Sequence, residues 1–188
     1  MEVHLIRHTP VAVPQGMCYG QTDVDVANSF PEDAKAYRES LPLESFDQVF
    51  CSPLSRCRKL AAALQIQDLQ IDQRLIEMDF GEWEGQMWMD LPTEVVRHWR
   101  ADFVHVPTPN GECFRDVLSR CKDFMTELSQ QNYEKVLLIS HSGIIRCVWA
   151  WALGIPLHNI FNLPIGFGET LILKIDQKRN RIRIRQKQ

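Results

Sequence analysis

Leu5-Ile6-Arg7-His8, near the amino end, and Leu137-Leu138-Ile139-Ser140-His141-Ser142-Gly143, far downstream, decide the reading of this chain. Each is a short apolar run that stops at a histidine, as a buried strand would. In open α/β sheets the ligand chemistry lies just beyond the carboxyl ends of the strands. Two imidazoles brought to that edge, one directly preceded by an arginine, describe a site for an anion. The chemistry that most needs such a set is phosphoryl transfer.

Working outward, Val3 to Arg7 reads as the first strand, and a long polar loop follows from Thr9 to Asn28. Loops of that length in a compact domain are often functional. The pattern predicts a helix over Pro31 to Leu41 and a strand over Gln48 to Cys51. Ser52-Pro53 then reads as a helix start, with serine as N-cap and proline at the first helical position, and this helix runs through Leu64. Gln70 to Leu75 reads as a strand, and Ile76 to Gly85 as irregular chain. Trp88 to Phe103 is partly helical. From Gly111 to Gln131, Val117, Cys121, Phe124, Met125 and Leu128 recur at spacings of three and four, an apolar helix face. Val136 to Ser140 has the continuous apolar character of a buried parallel strand. Ile144 to Leu153 is an apolar helix that stops at Gly154. Glu169 to Ile175 and Arg181 to Arg185 read as a terminal hairpin turning near Lys178 to Asn180. The expected fold is therefore one α/β domain over residues 1–188, a three-layer α/β/α sandwich with a mostly parallel central sheet and a C-terminal hairpin.

Composition narrows the function. The 188 residues are 45% hydrophobic, enough for one sizeable core, and carry a net charge of -3, which speaks against a nucleic-acid partner. The basic stretch Lys178 to Lys187 alternates as Arg181-Ile182-Arg183-Ile184-Arg185, the pattern of an edge strand turning its arginines to water. No apolar run approaches the roughly 20 residues of a membrane span. The chain enters its first strand without the basic and longer apolar regions of a signal peptide. The six cysteines (18, 51, 57, 113, 121, 147) form no C-x-x-C pair and sit in apolar segments, so reduced core thiols in a cytoplasmic protein are expected.

Three further signals carry chemistry. Arg56 lies about one turn into its helix, where the helix end disfavours a cation by roughly 0.3–1 kcal/mol. A bound dianion would reverse that sign. Arg58, two residues on, points elsewhere and reads as a surface residue. Ser142-Gly143, opening a helix beyond His141, would let backbone N–H groups come close to a phosphate. Glu77, Asp79, Glu82 and Glu84 lie among Met78, Phe80 and Trp83, surroundings that favour a protonated carboxyl and thus a general acid. The residues alone do not choose among the four.

Leu5 to His8, Cys51-Ser52-Pro53-Leu54-Ser55-Arg56, Glu77-Met78-Asp79-Phe80-Gly81-Glu82-Trp83-Glu84-Gly85 and Ser140 to Gly143 together resemble the histidine phosphatase (phosphoglycerate mutase-like) superfamily, in its order and at about its spacing. The resemblance implies a metal-independent phosphomonoesterase that needs no cofactor. It implies His8 as the nucleophile that takes the phosphoryl group, Arg7, Arg56 and His141 as the phosphate pocket with Ser142 beside them, and Glu77 as the acid that protonates the leaving group and then helps activate water. The family usually has glycine after Arg-His, where this chain has Thr9-Pro10, and an asparagine common in the next loop is missing. The loop Gly16-Met17-Cys18-Tyr19-Gly20-Gln21-Thr22-Asp23 is similar instead to the α-ribazole phosphatase branch, where that glycine is often replaced. That branch acts late in assembly of the cobalamin lower ligand.

The resemblance implies a small phosphomonoester as the partner, met in part by Tyr19, Gly20, Gln21 and Thr22, and by the region from Gly85 to Asn110. Trp83, Trp88 and Trp99 could stack on a heterocycle, although core packing is the commoner use of tryptophan. A sugar-phosphate phosphatase or mutase of the same fold is the alternative, but mutases carry inserts for which this chain leaves little room. A silent phosphate-binding module would be expected to have lost His8, His141 or the acid. A two-histidine metal site is opposed by the arginines, which repel a cation.

Overall fold

The computed structural model describes residues 1–176 and 181–186. Six strands form one sheet: β1 (Glu2–Arg7), β2 (Gln48–Cys51), β3 (Leu69–Ile71), β4 (Lys135–Ser140), β5 (Thr170–Asp176) and β6 (Arg181–Gln186). Their order is β3-β2-β4-β1-β5-β6. The first four run parallel, and β5 and β6 join antiparallel. The expected sandwich and hairpin are both present; the turn expected near Lys178 to Asn180 lies outside the described residues, and of the three arginine side chains only Arg183 is described, as exposed.

Alternation along the central strands builds two cores. Val3, Leu5, Val136 and Leu138 face one side, and Ile6, Leu137 and Ile139 face the other. The first face is covered by α3 (Thr93–Ala101), α4 (Phe114–Ser129) and α5 (Ser142–Leu153). The second is covered by α1 (Phe30–Ser40) and α2 (Ser55–Ala63). The apolar stripe read on α4 is buried from Val117 to Leu128. All six cysteines are buried free thiols. Among the described residues no helix is long and apolar enough to cross a membrane.

Two expectations are corrected. Ser52 does not cap a helix, and Pro53 is not its first residue: α2 starts at Ser55, with Leu54 at the cap position. The backbone N–H of Ser52 still donates to Ile139 O, so the sheet ladder holds the chain extended there. The Ser52 hydroxyl accepts the Leu54 N–H, at 3.3 Å, which makes a turn. The strand expected over Gln70 to Leu75 ends at Ile71. Asp72 accepts the N–H of Arg74 and closes a single tight turn over Gln73–Leu75. Gln70 and Ile71 are exposed on this edge strand, so packing does not extend it.

Phe124 on α4 meets Phe50 of β2 edge to face, with centroids 5.4 Å apart, and is almost wholly buried. Removing such a ring costs about 3–5 kcal/mol through lost burial and the cavity left behind. Phe124→Ala should lower the unfolding free energy measured by urea denaturation by that amount; a loss below about 1 kcal/mol would mean that this layer repacks freely.

Candidate active site

β1 pairs with β4 so that Arg7 lies opposite Ser140, and the N–H of His8 donates to Ser140 O at 2.9 Å. The residues that follow, His8 and His141, are therefore neighbours, with ring centroids 5.1 Å apart. His8 is 2% exposed. Its Nδ1 is 2.7 Å from Thr9 O. A carbonyl can only accept, so the proton sits on Nδ1 and Nε2 keeps its lone pair. Burial, together with the charges of Arg56 and Arg7, pushes its pKa down to about 3. His8 is thus a neutral imidazole with a free nucleophilic nitrogen.

His141 caps α5 and is fully buried. Its Nε2 lies 2.7 Å from Ser52 Oγ, whereas Nδ1 has no partner. Burial, then the neighbouring His8 and Arg56, hold its pKa well below the ordinary range. Ser52, first read as a helix cap, fixes this imidazole instead.

Three arginines gather here. Arg56, the second residue of α2, is completely buried. It donates to Gly20 O at 2.6 Å and Thr22 O at 3.1 Å, beside the Tyr19 ring. Arg7 donates to Ile165 O, with Phe167 stacked on it. Arg146 of α5 donates to Leu163 O beside Phe161. No carboxylate among the described residues pairs with any of them. Buried charges ordinarily are paired. Four polar atoms near His8, namely Arg7 Nε, Thr9 Oγ1, Arg56 Nε and His141 Nδ1, are buried without a hydrogen-bond partner among the described residues. Cations and donors left open in this way suit an oxyanion.

A cavity of about 190 Å³ opens onto His8. Its polar wall is Arg7, His8, Glu77, Ser142, Gly143 and Arg146; its apolar wall is Met17, Tyr19, Met78, Phe80, Trp88, Phe114 and Phe161. Of the four acids only Glu77 faces this cavity. Its carboxyl oxygens accept the N–H groups of Met78, at 3.0 Å, and Gly143, at 3.1 Å. The small residue at the start of α5 thus serves Glu77: a Cβ on Gly143 would stand 2.3 Å from Glu77 Oε1. The N–H expected to meet a phosphate is engaged by the acid. Asp79 accepts from Gly81 N, and exposed Glu82 accepts from Asn110. Glu84 takes the backbone N–H groups of Gln21, Thr22 and Phe80. Burial pushes the Glu84 carboxyl up, but the Thr22 hydroxyl and those N–H groups outweigh it and hold it below its ordinary value.

Of the loop residues expected to meet substrate, Tyr19 lines the cavity. Gly20 and Thr22 offer their carbonyls to Arg56, and Gln21 donates to Glu77 O. Of the three tryptophans only Trp88 lines the cavity; Trp83 and Trp99 are buried in the core. The sequence reading missed Arg120 and Arg146. Arg120 donates to the carbonyls of Arg74, Ile76 and Glu77 and pairs twice with Glu112, so it clamps the segment that carries Glu77. Its signal was faint, one step off the apolar stripe of α4. The signal of Arg146 was stronger, a lone cation within Ile144-Ile145-Arg146-Cys147-Val148. Arg58 is exposed, as expected.

The two neutral histidines set a pH dependence. Unfolded, each would take up a proton near pH 6.5; folded, neither does until far lower. The unfolded chain therefore binds more protons below pH 6.5, and stability falls as pH falls. For His8 the loss is about 2 kcal/mol at pH 5. Urea midpoints at pH 7.5 and 5 should differ less for His8→Asn than for the wild type; equal differences would contradict a buried neutral His8.

Residues 3–187 match the profile of the histidine phosphatase superfamily (branch 1). The chain is 30% identical to the adenosylcobalamin/alpha-ribazole phosphatase of Escherichia coli (strain K12), over 98% of this chain and 95% of that protein. It is 26% identical to phosphoserine phosphatase 1 of Hydrogenobacter thermophilus, over 94% and 87%. The crystal structure of the alpha-ribazole phosphatase from Shigella flexneri superposes with a TM-score of 0.89 at 28% identity, covering 99% and 95% of the two chains. With its strand-end histidines and unpaired arginines, this chain belongs to branch 1 of the histidine phosphatase superfamily and is a metal-independent phosphatase.

Proposed function

We propose that the protein hydrolyses a phosphomonoester through a phosphohistidine at His8, and that its substrate is α-ribazole 5′-phosphate, dephosphorylated during assembly of the cobalamin lower ligand. The observation that carries the chemistry is His8 itself, neutral, with Nδ1 committed to Thr9 O and Nε2 free among unneutralised arginines. Nε2 attacks phosphorus, the P–N bond forms as the ester P–O bond breaks, and Glu77 gives its proton to the departing oxygen. Arg7, Arg56 and the free Nδ1 of His141 hold the charge spread over the phosphoryl oxygens. Glu77, now a carboxylate, takes a proton from water as that water attacks phosphorus. Phosphate leaves, and His8 is restored.

Substrate choice rests on the walls of the cavity. Tyr19, Phe80, Trp88, Phe114 and Phe161 suit a planar heterocycle with little charge of its own. The likeness to phosphatases named for alpha-ribazole supports the same reading. One observation favours a second reading, a sugar-phosphate or phosphorylated-acid substrate: Arg146 stands in the same cavity, donates to Leu163 O and makes no ion pair among the described residues, and a second anionic group would meet it. Turnover should be compared on α-ribazole 5′-phosphate, phosphoserine and 3-phosphoglycerate. The proposal expects the highest kcat/KM on the first, with an acid-labile, base-stable adduct on wild type and none on His8→Ala. A preference for the acids that disappears in Arg146→Ala would establish the second reading.

Glu77 can be tested by leaving group. A nucleoside 5′-hydroxyl leaves poorly without a proton, whereas nitrophenolate leaves unaided. Glu77→Gln should slow the alkyl ester about 10²–10⁴-fold and p-nitrophenyl phosphate far less. Equal slowing of both would make Glu77 a positional residue.

A further inference from the structure

Phe167 belongs to neither hydrophobic core and is 40% exposed, an unusual place for a large apolar ring. Its contacts explain it. The ring lies 3.8 Å from the guanidinium carbon of Arg7, and its centroid is 5.9 Å from that of His8. It sits on a strap, residues 165–168, that holds Arg7 in two other ways. Ile165 O accepts a hydrogen bond from Arg7 Nη1 at 3.1 Å. The N–H of Gly168 donates to Tyr37 Oη, whose hydroxyl donates to Arg7 O. Arg7 Nε remains buried and unpartnered.

A carboxylate would hold the guanidinium as firmly, but it would also neutralise it. A carbonyl oxygen and an aromatic face carry no net charge. They fix the arginine and leave its whole positive charge for a dianion. We propose that Phe167 is a positioning residue, which orients Arg7 toward the phosphoryl group by stacking on it. This rests on the reading of Arg7 as a phosphate-binding residue.

The test uses Phe167→Leu, which keeps bulk and loses the ring face, and Phe167→Tyr, which keeps both. Each is made in the wild type and in an Arg7→Ala background. The readouts are kcat and KM on p-nitrophenyl phosphate, and competitive inhibition by inorganic phosphate. Phe167→Leu should weaken inhibition by phosphate and raise KM about 3- to 30-fold, the range of cation–π stacking from exposed to desolvated settings. Phe167→Tyr should restore both, and Phe167→Leu should have no further effect once Arg7 is gone. The inference alone is overturned if Phe167→Leu is silent, if Phe167→Tyr is equally damaging, or if the loss persists in the Arg7→Ala background. If Arg7→Ala by itself leaves phosphate inhibition unchanged, the reading of Arg7 falls, and this inference with it.

Discussion

The parallel pairing of β1 with β4 is the constraint on which the rest depends. It sets Arg7 opposite Ser140 and thereby puts two imidazoles side by side at one sheet edge. The register is strongly determined because both faces of both strands are buried. A slip of one residue would turn Val3, Leu5, Val136 and Leu138 away from the core that α4 and α5 complete. The site's geometry is thus inherited from hydrophobic packing in the middle of the sheet, well away from the chemistry.

Charge is handled by a repeated device. Arg7, Arg56 and Arg146 are each held by backbone carbonyls and flanked by an aromatic ring, and none forms an ion pair with a carboxylate among the described residues. Hydrogen bonds to carbonyls offset part of the cost of removing a guanidinium from water while keeping its charge intact. Burial, with the charges of Arg56 and Arg7 added to it, keeps His8 and His141 neutral. Nucleophile and electrostatic partners are therefore consequences of one arrangement. A cluster of cations, with Arg56 fully buried and Arg7 and Arg146 half-buried, makes an imidazolium unfavourable and an incoming dianion welcome.

The loops between these fixed points are tied by ion pairs and backbone hydrogen bonds rather than by secondary structure. Glu84 gathers the N–H groups of residues 21, 22 and 80. Arg120 and Glu112 bind the segment from Arg74 to Asp79. Of the acids close to Glu77 in sequence, Glu84 serves as such a tie, and Glu82 ties the chain to Asn110. This explains why composition alone did not separate a proton donor from its neighbours.

Legible in the sequence were the strands that end at His8 and His141, the apolar face of α4, the mostly parallel sheet with its hairpin, and the candidate set Arg7, His8, Arg56 and His141. These are legible because hydrophobic periodicity and strand-end position are local properties. The sequence reading misplaced the start of α2, because Ser52 looks like a cap until its N–H is seen in the sheet ladder and its hydroxyl beside His141. It stretched β3, because an edge strand gets little from packing and Asp72 ends it with a turn. Tertiary structure put Glu77, the acid that the family resemblance implied, on the cavity wall apart from its three acidic neighbours, brought Arg146 and Phe167 to His8, and gave Gly143 its role beside Glu77. Such choices follow from contacts between residues dozens to more than a hundred positions apart, and no local pattern records which distant carbonyl or ring a side chain will meet.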